Sequence, residues 1–443
     1  MIINALGYLD KTRLSIVNKH LLTIFNNYKY NIHSDEVLDI TNNYLVYPNL
    51  GQRVKEYKEE CKNILLSSIN KYPNIKIHLS NDHELIDKYH NNIYSYTFDI
   101  EQNKNQDILK FIYSLSIKEL YVSGTNIPFS FPNNLNKIEL DCCSNLTDIS
   151  SLGNIDDLSI YKCNNIVILP QVFNSKKIVF RNCNFLNNDN INIIKNTYEL
   201  SILKCPNITD LRGLDLSTIK RLSLEFFNII VPKLDNLEYL SINDSVCTNI
   251  NYLGDNIKEL HLSYYNLQVL PTVKYVEELY INNSQININL DGFDNLRKLK
   301  IVNNLHITDL FDIKNIKNLN LQQCNNLINI DSLKNIEYMD ELILSSCHKL
   351  VDISPLKNIE SINELNLSHC SNLVDISPLK NIKSINELNL SWCCKLVDIS
   401  PLKNIESINE LNLSYCSNII DISLLKNIKI NELGLYGCYN IKN

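Results

Sequence analysis

Residues 349–371 read KLVDISPLKNIESINELNLSHCS, residues 372–394 read NLVDISPLKNIKSINELNLSWCC, and residues 395–417 read KLVDISPLKNIESINELNLSYCS. The three stretches are near-identical copies with a period of 23 residues. In the first copy, two leucines lie two residues apart, at Leu365 and Leu367, and Cys370 follows them. A repeated unit of about 20 to 50 residues is typical of solenoids, in which each unit packs only against its neighbours. The sequence therefore predicts a repeat solenoid.

The same pair of apolar positions recurs over residues 117–443, in sixteen units that are 18 to 23 residues apart. The pairs are Leu120/Val122, Ile138/Leu140, Leu158/Ile160, Ile178/Phe180, Leu200/Ile202, Leu222/Leu224, Leu240/Ile242, Leu260/Leu262, Leu279/Ile281, Leu299/Ile301, Leu319/Leu321, Leu342/Leu344, Leu365/Leu367, Leu388/Leu390, Leu411/Leu413 and Leu433/Leu435. Alternation places both members of a pair on one face of a strand. The pattern therefore predicts stacked parallel strands with these side chains inside and residues such as Asn366 outside.

The segment between strands carries its own signals. Ser354 and Pro355 can open a short helical or 3-10 segment on the opposite side, with the serine as its cap. Leu356 and Ile359 then return the apolar side of that segment to the core.

The full repeat pattern, L-x-x-L-x-L-x-x-[N/C]-x-x-L, is represented by Ile362, Leu365, Leu367, Cys370 and Leu373. It resembles the leucine-rich-repeat family over about three quarters of the chain. The D-I-S-P-L portion resembles the internalin-like type, and the cysteine resembles the cysteine-containing type. The resemblance implies an α/β repeat solenoid, a horseshoe with a parallel β-sheet on its concave face. Short helical, 3-10 or extended segments would form the convex face.

The cysteines follow the repeat as well. Ten of the fourteen occupy the position just after the strand pair. These are Cys143, Cys163, Cys183, Cys205, Cys324, Cys347, Cys370, Cys393, Cys416 and Cys438. A buried cysteine at such a site acts as a small apolar side chain with a weak hydrogen-bond donor. A metal site requires clustered ligands, and the only close pairs are the adjacent Cys142–Cys143 and Cys393–Cys394. We therefore expect structural thiols, no metal and no disulfides.

Residues 1–30 have a helical apolar period and differ from the repeats. The pattern of Ile3, Leu6, Leu9, Asp10, Leu14, Val17 and Lys19 resembles the later half of an F-box, although its opening Leu-Pro and first helix are missing. The resemblance implies docking on a Skp1-type ubiquitin-ligase adaptor through Leu6, Leu9, Leu14 and Val17. The alternative is an amphipathic helix pair that only covers the first repeat.

Residues 31–116 are predicted to form a helical or irregular linker and an N-terminal cap. The stretch 52–70 suits a helix, and residues 107–116 suit another. A cap of this kind would cover the apolar end of the repeat array. His78, His83 and His90 lie near one another in sequence, but they lack a cysteine pair or an acidic partner and are expected at the surface.

Composition excludes several classes of function. The net charge of −7 argues against a nucleic-acid partner, which requires clustered lysine and arginine. The N-terminus does not have the pattern of a signal peptide, and no apolar run is long enough for a membrane span. The sequence contains none of the common phosphate-, dinucleotide- or zinc-binding motifs, and it has only nine glycines. We therefore expect a non-enzymatic, cytoplasmic monomer without cofactors (in the host cytoplasm, if the chain is viral).

The candidate binding residues are those that differ between otherwise identical repeats. The residue before the cysteine is His369, Trp392 or Tyr415, and Trp392 is the only tryptophan. At about 5 Å per repeat, the three rings would form a platform at the concave edge. Neutral drift after duplication explains the variation equally well. Glu364, Glu387 and Glu410 recur on the same face, where they would favour a basic partner or serve only for solubility.

The predicted function is a protein-interaction scaffold that holds an unknown target. Its resemblance to the F-box/LRR proteins of amoebae and giant viruses implies the substrate-recognition subunit of a Skp1/cullin-type ubiquitin ligase. The alternative is a leucine-rich-repeat binding protein without ligase coupling. A third possibility is an enzyme with its site in residues 31–116.

Overall fold

The structure is a computed structural model of the chain. It describes residues 37–40, 76–80, 93–99, 117–124, 131, 134–225, 228–243, 246–247, 253–263, 270, 273–282, 288, 290, 292–310, 313 and 315–441. The chain divides into two compact units, residues 1–186 with 193–197, and residues 187–192 with 198–443. Each unit is described by itself below.

The first unit is built on parallel strands that pair in chain order, β1–β2–β3–β4–β5–β6–β8, and β7 pairs with β9 separately. The strands are β1 Val37–Ile40, β2 Lys76–Ser80, β3 Ile93–Asp99, β4 Glu119–Ser123, β5 Lys137–Asp141, β6 Asp157–Tyr161, β7 Phe173–Asn174, β8 Lys177–Arg181 and β9 Ile194–Lys195.

The second unit repeats this arrangement. Its main parallel strands pair in the order β10–β11–β13–β15–β16–β17–β18–β19–β20–β21–β22–β23, and β12 pairs with β14. The strands are β10 Glu199–Leu203, β11 Arg221–Glu225, β12 Asn228–Ile229, β13 Tyr239–Asn243, β14 Val246–Cys247, β15 Glu259–Ser263, β16 Glu278–Asn282, β17 Lys298–Val302, β18 Asn318–Asn320, β19 Tyr338–Ile343, β20 Ser361–Asn366, β21 Ser384–Asn389, β22 Ser407–Asn412 and β23 Lys429–Gly434.

The predicted inward positions form the core. The first apolar residue of every pair lies in one of these strands, and Leu365, Leu388 and Leu411 are each 1% exposed. Equivalent residues face each other in adjacent strands, as Leu365, Leu388 and Leu411 do in β20 to β22. Leu433 is 42% exposed and lies in the last strand that the structure describes. The parallel-strand solenoid is therefore confirmed.

Short 3-10 helices precede the last five strands, and within the described ranges no α-helix is found. The 3-10 helices are Ser150–Leu152, Ile191–Ile193, Asp331–Asn335, Ser354–Asn358, Ser377–Asn381, Ser400–Asn404 and Ser423–Asn427. Leu356 and Ile359 are buried, as predicted.

The predicted serine cap is wrong. Ser354 is the first residue of its 3-10 helix, and its side chain does not cap it. Instead Asp352 accepts hydrogen bonds from the Ser354 backbone N–H at 2.7 Å and from the Ser354 hydroxyl at 3.1 Å. An aspartate two residues ahead can reach both donors, and the same pairing recurs at Asp375 and Asp398.

The cysteines after the strands are structural, as predicted. Nine of the ten are buried, and Cys438 is half-buried. The Cys370 thiol donates to the backbone carbonyl of Leu344 at 3.2 Å, and the Cys393 thiol donates to Leu367 at the same distance. Burial raises the pKa of the Cys370 thiol to about 12 and that of Cys324 to about 11. These side chains remain protonated and fill the bend between strand and turn.

We expect thiol titration of the denatured protein, without reductant, to find nearly all fourteen cysteines. Twelve cysteines in the part of the chain that the structure describes are present as thiols, and eight of the nine buried ones donate to carbonyl oxygens of the preceding repeat. Recovery of half or fewer would contradict this prediction.

Residues 31–116 contain three strands, β1 to β3, where the sequence predicted helical or irregular structure. Their parallel pairing continues into β4. The repeat period did not reveal them because β1 begins 39 residues before β2, far from the 18 to 23 residues between later units. The predicted helices at 52–70 and 107–116, and the F-box-like residues Leu6, Leu9, Leu14 and Val17, lie outside the described residues.

Candidate protein-binding surface

Three aromatic rings stack on one another where strands β20, β21 and β22 end. They belong to His369, Trp392 and Tyr415, which we call the ring row. The His369 and Trp392 ring centroids are 5.3 Å apart at an interplanar angle of 12°, and those of Trp392 and Tyr415 are 4.0 Å apart at 18°. The Tyr436 ring meets Tyr415 edge-on at 5.2 Å. The equal spacing of the repeats therefore aligns aromatic side chains into a continuous surface.

The ring row lies in the turns that follow the strands and not on the strands themselves. Each ring residue lies in the turn three positions after the last strand residue, as His369 does after Asn366. The turn is held by Asn366, whose side-chain oxygen accepts hydrogen bonds from the backbone N–H of Ser368 at 3.0 Å and from its hydroxyl at 2.7 Å. The rings therefore border the strand face at its C-terminal edge.

The backbone at the ring positions is left-handed. His369, Trp392 and Tyr415 have φ values of 59°, 62° and 61°. The residue before the repeat cysteine has positive φ throughout the described repeats that carry one; these residues are Cys142, Lys162, Asn182, Lys204, Gln323, Ser346, His369, Trp392, Tyr415 and Gly437. Glycine and asparagine adopt this conformation at least cost, whereas bulky side chains are strained in it. The fold imposes this turn but does not require aromatic residues in it.

The ring row is accessible. Trp392 is 40% exposed, His369 is exposed and Tyr415 is half-buried. Glycine is required at position 437, because a Cβ atom there would lie 2.6 Å from Cδ1 of Tyr415. The last repeat therefore leaves space for the Tyr415 ring, and Gly437 is a residue that the sequence reasoning missed.

A row of glutamates lies on the outward face of β19 to β23. Glu341, Glu364, Glu387, Glu410 and Glu432 face one another in register, and we call them the glutamate row. Burial and the neighbouring Glu341 and Glu387 raise the pKa of the Glu364 carboxyl. The glutamate row therefore concentrates negative charge on five adjacent strands.

A second group of aromatic side chains lies on the outward face of β11 to β16, and the sequence reasoning missed it. The Arg221 guanidinium lies 4.0 Å from the Tyr239 ring centroid, and its Nη2 is 3.6 Å from Oε2 of Glu259. The His261 ring is 4.0 Å from the ring of Tyr280, and its Nε2 is 2.9 Å from Oε1 of Glu259. Burial lowers the pKa of His261. The sequence signal for this group was the presence of aromatic residues between or beside the inward leucines of these strands.

Two kinds of feature are absent from the residues that the structure describes. No group of three or more histidine, cysteine, aspartate or glutamate side chains is arranged to hold a metal ion there. That part of the chain also has no helix with the length and apolarity to span a bilayer.

Comparisons with known proteins agree with the repeat fold. Residues 272–395 and 356–443 match the BspA type leucine rich repeat region, in six copies. An uncharacterized leucine-rich repeat-containing protein of Amsacta moorei entomopoxvirus is 27% identical over 243 residues, which are 50% of this chain and 49% of that protein. The chain is thus similar to leucine-rich-repeat proteins. Over residues 272–443 its repeats are similar to the BspA type.

Two further similarities are limited in reach. The tRNA uridine 5-carboxymethylaminomethyl modification enzyme of Ureaplasma parvum is 28% identical over 149 residues, 32% of this chain but only 23% of the enzyme. A leucine-rich-repeat protein of Leptospira interrogans has a TM-score of 0.45 and 16% identity, with 79% of this chain and 94% of that one covered. The chain therefore spans less than two thirds of the curated relatives it matches.

Proposed function

We propose that this protein is a binding scaffold that holds a protein partner against β19 to β23. The ring row of His369, Trp392 and Tyr415 is the anchoring contact, and Glu364, Glu387 and Glu410 contribute on the strand face beside it. The stacked, accessible rings at left-handed positions carry this proposal, because the turn itself favours glycine or asparagine there. Backbone strain at a position that the fold does not need filled by a ring points to a functional use.

A protein partner fits the ring row better than other classes of ligand. Tryptophan and tyrosine are enriched among the residues that carry most of the binding energy of protein interfaces. Three stacked rings also lose little side-chain freedom on binding, since they already hold one another in place. Proximity labelling with the full chain would identify partners, and a partner whose binding is the same for wild type and for a variant without the Trp392 ring would contradict the ring row as anchor.

A narrower form of the proposal makes the chain the substrate-recognition subunit of a Skp1/cullin-type ubiquitin ligase. It is supported by the resemblance of residues 1–30 to an F-box. Leu6, Leu9, Leu14 and Val17 would contact the adaptor, and the repeats would hold the target. The rival is a repeat scaffold without ligase coupling, in which the repeats bind the same partner and no adaptor is recruited.

We expect the full chain to capture a Skp1-type adaptor in a pull-down, and the double variant Leu9→Asp/Leu14→Asp to capture at least about tenfold less. Two carboxylates in an apolar docking surface lose several kcal/mol, because neither is paired there. Capture of the repeat partner by the same double variant is the control and should not change. Equal adaptor capture by both proteins, or no capture by wild type, would favour the uncoupled scaffold.

A further inference from the structure

A polar groove crosses the N-terminal ends of β19 to β23. Its volume is about 420 Å³, and it is lined in successive strands by the same two polar positions. These are Ser361, Asn363, Ser384, Asn386, Ser407 and Asn409. Hydroxyl and amide groups can both donate and accept hydrogen bonds, so this lining matches the alternating N–H and C=O groups of an extended peptide backbone. Lys429 lines the groove in the last strand.

The glutamate row borders this groove, since each of Glu364, Glu387 and Glu410 directly follows a lining asparagine. Earlier strands carry charges of both signs in the same register row, and there they pair with each other. Lys298 lies 3.8 Å from Glu278, and Arg221 lies 3.6 Å from Glu259. From β19 onward the row contains only glutamate.

The carboxylates of Glu364, Glu387 and Glu410 lack an ion pair with any lysine or arginine in the described part of the chain. Like charges directly opposite each other on neighbouring strands are destabilising. Cations that a partner brings would relieve this repulsion along the row. The positive charge of Lys429 repels such cations at the last strand. The surface that is complementary to a cationic partner therefore extends over β19 to β22.

We propose that the outward face of β19 to β22, formed by the groove and the glutamate row, binds an extended polypeptide segment with alternating lysine or arginine residues. This inference rests on the proposed function and names the chemistry of the partner. Four strands about 4.8 Å apart span about 14 Å. An extended chain rises about 3.3 Å per residue, so side chains at positions i, i+2 and i+4 span about 13 Å on one face. Three alternating cations therefore cover the four glutamates Glu341 to Glu410.

The test uses the full chain and the fluorescent peptide acetyl-Arg-Ser-Arg-Ser-Arg-Ser-amide, with binding followed by anisotropy at about 50 mM and 150 mM salt. We expect the triple variant Glu364→Gln/Glu387→Gln/Glu410→Gln to weaken binding at least about tenfold. The matched control is Asp352→Asn/Asp375→Asn/Asp398→Asn, which changes the net charge equally in the same three repeats. Those aspartates lie in the loops before the 3-10 helices, and asparagine keeps an oxygen acceptor for Ser354, Ser377 and Ser400. The control should weaken binding less than about twofold.

A second peptide with the three arginines in one block, Arg-Arg-Arg-Ser-Ser-Ser, tests the spacing and should bind more weakly than the alternating one. Equal weakening by both triple variants would show attraction to net charge alone and overturn the inference. Failure of wild type to bind the alternating peptide, or full displacement of the peptide by about 1 mM calcium, would overturn it too. The peptide experiment does not use the partner that the ring row binds, and the ring-row experiment does not use the peptide. A negative result with the peptide therefore does not contradict the ring row as the anchor for a protein partner. A negative result for the ring row likewise does not contradict binding of the peptide to the glutamate row.

Discussion

Leu388→Asp should unfold the repeats around β21, whereas Asn389→Asp, one residue further along, should leave them folded. Leu388 is 1% exposed and lies between Leu365 and Leu411 of the neighbouring strands. The substitution removes a buried leucine, which costs about 2 to 5 kcal/mol, and it adds a carboxylate without a partner in an apolar interior. We expect a total loss of about 5 kcal/mol or more, enough to open several repeats.

Asn389→Asp is the matched control because its side chain keeps its role. The Asn389 side-chain oxygen accepts hydrogen bonds from the Ser391 backbone N–H at 3.0 Å and from its hydroxyl at 2.7 Å. A carboxylate oxygen accepts the same two bonds, so the expected cost is under about 1 kcal/mol. Urea unfolding followed by circular dichroism, with hydrogen exchange of β20 to β22, measures both variants. Similar destabilisation by the two substitutions would contradict the inward and outward assignment.

The core of this fold was predictable because its signal is periodic. A residue such as Leu388 is repeated at fixed spacing. Side chains alternate between the two faces of a strand, so this position points into the core regardless of which residues flank it. The 3-10 helix at Ser354–Asn358 was predictable for the same reason, since its serine and proline recur in three copies. The hydrogen-bond acceptor at the start of this helix was assigned to the wrong residue. The sequence does not show that the helix begins at Ser354 itself, so that Asp352 accepts the bond from the Ser354 backbone N–H.

The geometry of the ring row was only partly predictable. The sequence identified His369, Trp392 and Tyr415 as the residues that vary between copies, and repeat spacing led us to expect stacking. It did not reveal that the turn is left-handed, because lysine, glutamine and serine occupy the same position in other repeats. The invariant Asn366 was interpreted as an outward strand residue, yet its side chain holds that turn.

The contacts among Arg221, Tyr239, His261 and Tyr280 could not be predicted from one sequence, although the aromatic residues themselves are visible in it. These residues lie 18 to 22 residues apart, and none is repeated in a near-identical copy. Their contacts depend on the register between β11, β13, β15 and β16, which places Tyr239 opposite Arg221 and Tyr280 opposite His261. Register is visible only once neighbouring strands are paired.

Trp392→Gly should weaken the binding of a protein partner by about 2 kcal/mol or more, which is roughly a 30-fold rise in Kd. The substitution should not destabilise the fold. Two effects on stability oppose each other. Loss of the stacking with Tyr415 at 4.0 Å and His369 at 5.3 Å costs about 0.5 to 1.5 kcal/mol per pair. Replacing a bulky residue at a φ of 62° removes backbone strain and stabilises the fold by about 1 to 3 kcal/mol, since glycine adopts this conformation without strain. The unfolding midpoint should therefore change little.

Two variants separate the ring from the backbone in this prediction. Trp392→Tyr keeps an aromatic ring at the same position and should retain most of the affinity. Ser346→Gly relieves the same left-handed turn, at a φ of 61°, in a repeat without a ring, and should leave affinity unchanged. Calorimetry with a partner found by proximity labelling gives the affinities, and urea unfolding gives the stabilities. An affinity of Trp392→Gly equal to wild type would rule out the ring row as the anchor, whereas parallel losses of affinity and stability would reduce it to a packing role. Loss of affinity at constant stability, with recovery in Trp392→Tyr, is the outcome that a binding row of stacked rings requires.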